Sequence, residues 1–371
     1  VINEAEQHIL AAHAERLAEE TGKKVTVDDI TEGRAPRPKV LDMFAGGGAI
    51  PLEALRLGCD TYALDLNPVA HIIELCTFVY PQKYGKPEKK VKGCSSDGSW
   101  GGIAEEIKYW GENWIIKQAQ NRIGDLYAPI SINNSLLKGR NGIVPLLEDS
   151  ELSDLCPVAY FWTRTVKCKK PGCNASVPLA KIVWLRRERN DKDGLYIALD
   201  RVYNNETNQV DFIIREARKK AQILIENPIS KAGNVVCPFC KTDCPDEYVK
   251  SEGCLGNIEY QLMAISFKTK DGKKRIYLDN VDLKTINYRD SQNIQERLLE
   301  LLESSGINPI NEPIIPDGKR SVWVNLYGLS DFSKIFLQRQ LIVGYTITEL
   351  ILELFEELSK NDYEKDRAIA I

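Results

Sequence analysis

No stretch of this chain is apolar for long enough to cross a bilayer, and no secretory or transit segment is visible, so the sequence predicts a cytoplasmic protein with no membrane partner. Histidine is almost missing: His8, His13 and His71 are the only three. None stands at ligand spacing from a carboxylate or cysteine, which argues against a histidine-built metal site or a histidine base and predicts positions on helix surfaces. There is no excess of positive charge either. A formal charge of -4 excludes indiscriminate binding of polyanions by the whole surface, so any such contact must come from local clusters. No internal repeat or low-complexity tract occurs. The 371 residues, 43% hydrophobic and 27% charged, suffice for two or three domains.

What the chain does have is a glycine turn in a telling place. From Val40 to Ala70 it reads VLDMFAGGGAIPLEALRLGCDTYALDLNPVA. Lys39 to Phe44 predict a strand that reaches Asp42 and Phe44, and Gly46, Gly47 and Gly48 turn the chain into a helix carrying Pro51, Leu52, Ala54, Leu55 and Leu57. Gly58 stops that helix, Thr61 to Leu64 predict the next strand, and Asp65 closes it, where an acid can hold ribose hydroxyls. The glycine spacing is not GxGxxG, the pattern that aims a helix N-terminus at a pyrophosphate. A ligand without phosphate and with a cationic end fits better, and S-adenosylmethionine (SAM) is that ligand, with Asp42 suited to its methionine end. Glycines that merely pack a helix on a sheet, and another nucleotide cofactor, are the competing readings.

The string DMFAGGGAIPLEALRLGC followed by DLNPVA resembles the adenine-specific DNA methylases that contain a zinc ribbon. Further stretches resemble the family in the same order: Trp110-Gly111-Glu112, Arg122 to Tyr127, Pro157 to Tyr160, Trp162 to Val166, Tyr327-Gly328 and Arg339-Gln340-Leu341. The resemblance implies a Rossmann-like domain in which Asp42, Phe44, Ala45, Gly46, Gly47, Gly48, Asp65 and Asn67 line SAM, methyl transfer to adenine N6, DNA as partner, and service in restriction or phage defence. It also exposes a departure. Amino-methyltransferases of DNA carry Asp/Asn-Pro-Pro followed by an aromatic, and no such tetrapeptide occurs here; the nearest strings begin at Asn67, Asn227 and Asn308. The catalytic residues are therefore unassigned. A C-terminal remainder or a second polypeptide would carry them, and Val1 in place of methionine is compatible with a fragment and equally with removal of an initiator. A non-catalytic SAM- and DNA-binding subunit, and an RNA methyltransferase, remain alternatives.

Ten cysteines in a chain of this class point to metal or buried thiols before disulfides. Cys168-Lys-Lys-Pro-Gly-Cys173 and Cys237-Pro-Phe-Cys240 are two half-sites with spacing suited to structural Zn2+. Cys244 and Cys254 offer a competing ligand set with Cys237 and Cys240, and the resemblance favours the Cys168 and Cys173 pair. Between Tyr160 and Asn190, Arg164, Lys167, Lys169, Lys170, Lys181, Arg186, Arg187 and Arg189 face one acid, Glu188, with Phe161, Trp162 and Trp184 among them. This is the candidate nucleic-acid patch; a solvated basic face is the plain alternative. Asp97 is a weaker candidate for the cofactor's adenine.

The expected fold is α/β: an N-terminal helix and linker (1–36), an incomplete SAM-binding Rossmann-like domain (37–155), a zinc-ribbon α+β insertion that interrupts it and is available for DNA recognition (156–285), and a helical C-terminal segment (286–371). Within it, Ile103 to Leu126 predict a helix with Trp110 and Trp114 in the core, Gly194 to Val202 a strand, Asp211 to Glu226 a helix, and Asn257 to Lys268 with Arg275 to Leu278 a small sheet.

Overall fold

The computed structural model describes residues 1–86, 101–137, 148–181, 183–187, 194–223, 225, 234–288, 293–307, 309–315, 323–361 and 363–371. The protein is mixed α/β. It divides into two compact units, residues 1–118 with 350–371, and residues 119–349.

In the first unit, helix Ile2–Thr21 ends at left-handed Gly22 and buries Leu10, Ala14 and Leu17 against Ile30. His13 does not lie on the surface as expected: it is buried, and its Nε2 sits 3.0 Å from the Pro36 carbonyl. A short parallel pair comes next. Strand β1 (Lys39–Asp42) and strand β2 (Asp60–Ala63) pair from Lys39 with Asp60 to Asp42 with Ala63, and helix Ala49–Arg56 connects them. Among the described residues this parallel sheet has these two strands. Leu41 and Tyr62, partners in the register, are both more than half exposed, although parallel sheets ordinarily have both faces covered. Helix Ile103–Trp110 and a π-helical turn, Gly111–Ile115, bring Trp110 and Trp114 onto Leu354, Leu358 and Tyr363, the core role the sequence suggested. Nearby, the buried Glu106 and Arg367 form an ion pair, and Arg367 also lies 5.5 Å from the centre of the Tyr84 ring.

The second unit is built on antiparallel strands. β3 (Cys156–Lys167), β4 (Ser176–Pro178), β5 (Val183–Arg186), β6 (Tyr196–Asn204), β7 (Gln209–Ala217), β8 (Val235–Val236), β9 (Asp243–Cys244), β10 (Glu259–Lys268) and β11 (Arg275–Asp279) form one sheet ordered β11-β10-β3-β4, a second ordered β5-β6-β7, and the pair β8-β9. One core gathers Leu152, Leu155, Ile265, Phe267, Ile276 and Leu278; another packs Ile197, Leu199, Phe212 and Ile214 against Met263, Ala264 and Tyr277.

The segment predicted as a helix from Asp211 is strand β7 instead. Val210, Phe212 and Ile214 alternate inward, and the polar turn between Asn204 and Gln209 closes a hairpin with β6. Its edge is then covered: Asn280 Oδ1 accepts the Phe212 N–H at 2.7 Å, and Asp279 Oδ2 accepts the Ile214 N–H at 2.9 Å. Asp279 also caps helix Asn280–Thr285 through its other oxygen, so one carboxylate ties strand edge to helix end.

Helix Asp246–Cys254 meets the turn after Trp323–Tyr327 backbone to backbone. Gly328 has φ 84°, and a Cβ there would overlap the Gly253 carbonyl. Gly328→Ala is therefore expected to destabilise this unit by about 2–4 kcal/mol, combining left-handed strain with a backbone clash. Urea denaturation checks it; a variant as stable as the parent would mean that the two segments do not touch.

Candidate cofactor loop and metal centre

The loop after β1 is held by Asp65. Its Oδ2 accepts the Gly46 N–H at 2.8 Å and its Oδ1 the Asn67 N–H at 2.7 Å, and these bonds, Asn67 first, keep the carboxyl below its ordinary range. The main chain adds Leu64 N–H to the Asp42 carbonyl at 2.9 Å and Ala45 N–H to the Leu64 carbonyl at 3.1 Å, so the ends of both strands are stitched together. Asp42 Oδ1 accepts the Phe44 N–H at 3.1 Å, while the Phe44 ring is 86% exposed. Asn67 caps helix Pro68–Glu74 by accepting the Val69 N–H at 3.0 Å.

The three glycines do not share one cause. Gly48 is left-handed at φ 77°, and a Cβ there would overlap the Phe78 ring, so conformation and packing both call for glycine. At Gly46 and Gly47 a Cβ would meet nothing within 4 Å. Gly46 is left-handed at φ 54°, which itself favours glycine, and at both positions the side where a Cβ would stand is open to a ligand.

The candidate metal centre is made by two hairpin tips. Cys168 and Cys173 lie in the turn joining β3 to β4, and Cys237 and Cys240 in the turn joining β8 to β9. Both tips use the same local device. Cys168 N–H donates to the Ala175 carbonyl at 2.8 Å and Cys237 N–H to the Thr242 carbonyl at 2.9 Å. The residue after each second cysteine is left-handed, Asn174 at φ 50° and Lys241 at φ 59°. These turns aim the thiols inward: the four sulfurs all lie within 4.8 Å of one another. Cys168 Sγ is 3.4 Å from Cys240 Sγ, and Cys173 Sγ is 3.9 Å from Cys237 Sγ. Zn–S bonds of about 2.3 Å in a tetrahedron put sulfurs roughly 3.8 Å apart, so the set can hold one metal ion.

Burial pushes the Cys168 and Cys237 thiols up, while the Thr242 hydroxyl, 3.2 Å from Cys240 Sγ, and the Thr242 N–H pull Cys240 down to about 6. Around the sulfurs lie Val166, Ala175, Val177, Val235 and Val249. Cys244 belongs to this apolar shell and Cys254 approaches the Leu326 carbonyl at 3.7 Å; among the described residues neither joins the sulfur cluster. Thr242, Asn174 and Lys241 carry no cysteine-like signal, and only their places beside the second cysteines could have marked them.

The basic candidates sit on β3, on the turn after it and at the end of β5. Arg164 is half-buried with its guanidinium 5.6 Å from the centre of the Tyr260 ring. Lys167 is exposed and paired with Glu259 at 3.4 Å, while Lys169 and Lys170 are exposed on the turn that carries Cys168 and Cys173. Arg186 and Arg187 are exposed at the end of β5. Arg189, Asp97 and the Asn227 string lie outside the described residues. Among the described residues, no helix is long and apolar enough to cross a membrane. The chain matches no protein-family model, no curated protein and no solved structure.

Proposed function

We propose that the chain is the SAM-binding, DNA-engaging part of an amino-methyltransferase acting on adenine N6, with one structural zinc ion in a ribbon formed by the two cysteine hairpins. The observation that carries the cofactor half is the loop between β1 and β2: a strand-turn-helix-strand unit with open backbone at Gly46 and Gly47 and an acid at the end of the second strand. Asp65 holds that loop through both oxygens, and each keeps a further lone pair that in this reading accepts from a ribose hydroxyl. Asp42, Phe44, Ala45, Gly46, Gly47, Gly48 and Asn67 complete the lining in this reading, and the pair β1-β2 is the start of a Rossmann-like sheet. Bound SAM supplies an electrophilic methyl group. The protein's part is to orient it and keep the loop closed.

The ribbon reading rests on the sulfur spacing and on its closure: four protein ligands leave no open position for water or substrate, so the metal staples two hairpins and takes no part in the reaction. Lys169, Lys170, Arg186 and Arg187 are exposed cations for phosphate contacts, and Arg164 and Lys167 precede the first two along β3. A second polypeptide or a C-terminal remainder supplies the tetrapeptide that this sequence lacks.

Asp65→Ala is expected to weaken SAM binding by roughly tenfold to a hundredfold in calorimetry, because a charged acceptor is lost together with the clamp on the loop. Asp65→Asn, which keeps an acceptor oxygen, should recover part of it. Unchanged SAM affinity in the alanine variant, or tighter binding of NAD than of SAM by the parent chain, would sink the assignment.

A further inference from the structure

We propose that an open cleft in the second unit seats one nucleotide of a nucleic-acid strand, its base against exposed aromatic rings and its phosphate at Arg164 and Lys181. The proposal rests on the reading of this chain as a nucleic-acid-modifying protein and gives the strand a seat apart from the metal-bearing turn. The cleft lies among β3, β10, helix Asp246–Cys254 and the segment from Tyr327 to Phe336, with a volume of about 690 Å³. Small-molecule sites run about 300–1,000 Å³, so a nucleotide fits within it.

Its chemistry is one-sided. The chain as a whole has more acids than bases, 53 against 49, yet among the described residues the cleft is lined by Arg164, Lys181 and Lys334 and by no carboxylate. Lys334 is already engaged, 3.4 Å from Asp331 and 2.8 Å from Ser330 Oγ. Among the described residues Arg164 and Lys181 have no carboxylate partner, so these two are available to an anion. Beside them, Tyr260 and Phe336 are 41% and 44% exposed, and Trp162 and Tyr327 add further ring surface. Cations next to open rings match a ligand with an anionic group attached to a flat apolar one; an acidic peptide would use the cations and leave the rings idle. Val249 and Met263 give the cleft an apolar floor, and the backbone contact between Gly253 and Gly328 fixes one wall.

Cys254 lines the cleft and is exposed, which makes it a reporter. The full, zinc-loaded chain would be alkylated with a maleimide, with and without a single-stranded oligodeoxynucleotide, and each site read by mass spectrometry. Cys76, exposed in the first unit, is the internal control. Oligonucleotide should slow modification of Cys254 about fivefold or more and leave Cys76 unchanged. Phe336→Ala and Lys181→Gln should each weaken strand binding, by about tenfold for the lost stack, and an abasic strand of equal length should protect poorly. Both substituted side chains are partly or fully exposed, so both variants should fold, as circular dichroism would verify. A strand that binds by fluorescence anisotropy but leaves Cys254 unprotected overturns the seat alone. Equal protection by polyglutamate or by the abasic strand also overturns it. Failure to bind any nucleic acid overturns the DNA reading with it, whereas SAM calorimetry judges the cofactor half separately.

Discussion

Replacing Cys168 and Cys237 together by serine should give a chain that retains no zinc and whose second unit, residues 119–349, no longer melts cooperatively. Each hairpin tip loses one of its two thiolates, and both sulfurs sit in buried side chains, where two hydroxyls would be poor ligands and poor fillers. The apparent binding free energy of a structural zinc is about 10–16 kcal/mol, as large as the whole stability of an ordinary domain at about 5–15 kcal/mol. The tips have no other covalent tie: Cys168 and Cys237 are free thiols, and β8-β9 consists of two residue pairs. Metal analysis of the purified proteins and thermal melting by circular dichroism measure both consequences, and a strong chelator should reproduce the loss in the parent chain. Cys244→Ser and Cys254→Ser should keep their zinc, because those sulfurs lie outside the cluster. A folded wild type free of metal, or full zinc retention in the double mutant, contradicts the assignment.

The second large effect is an absence of activity. With labelled SAM and unmethylated genomic DNA, this chain alone should transfer no methyl group above background. The reaction needs an acceptor side chain and a backbone carbonyl that aim the amine's lone pair at the methyl, and an aromatic that stacks the extruded base. Orientation of this kind is worth effective molarities of about 10⁵–10⁸ M, so a bound but unpositioned adenine reacts at a negligible rate. Asn67, the first residue of the nearest string within the described residues, has its side-chain oxygen on the Val69 N–H as a helix cap. Transfer that appears only after a polypeptide bearing Asp-Pro-Pro-Tyr is mixed in identifies a divided enzyme. Robust adenine methylation by the chain alone would refute this reading and point to a substitute for the tetrapeptide.

The two candidate sites differ in how far local sequence reveals them. The cysteine pairs are legible because a turn that presents two thiolates needs close spacing, and both half-sites have it. Choosing among Cys168, Cys173, Cys244 and Cys254 as partners for Cys237 and Cys240 is not, since β3-β4 meets β8-β9 only through tertiary packing. The glycine turn and Asp65 are legible as a unit, but the bond from Gly46 to Asp65 spans 19 residues and shows that the acid also holds the loop. Along the fold, β7 reads as a helix because Glu216, Arg215 and Asp211 suit one, while the alternation of Val210, Phe212 and Ile214 decides only when β6 lies beside it. The twelve-residue β3 is hidden under its own basic and aromatic content. The nucleotide cleft is legible only in part: Trp162, Arg164 and Lys181 fall within one basic segment, whereas Tyr260, Tyr327 and Phe336 join them only in space.

Val249 and Tyr327 both pack against the sulfur-bearing core and line the cleft. Two walls are thus one piece of structure, and a molecule without its metal offers a different cleft from one that holds it. If the proposed zinc holds that core, an incompletely loaded preparation is a mixture of two clefts. The proper denominator for a strand-binding curve is the concentration of loaded protein, and stoichiometries measured without it will drift from one preparation to the next.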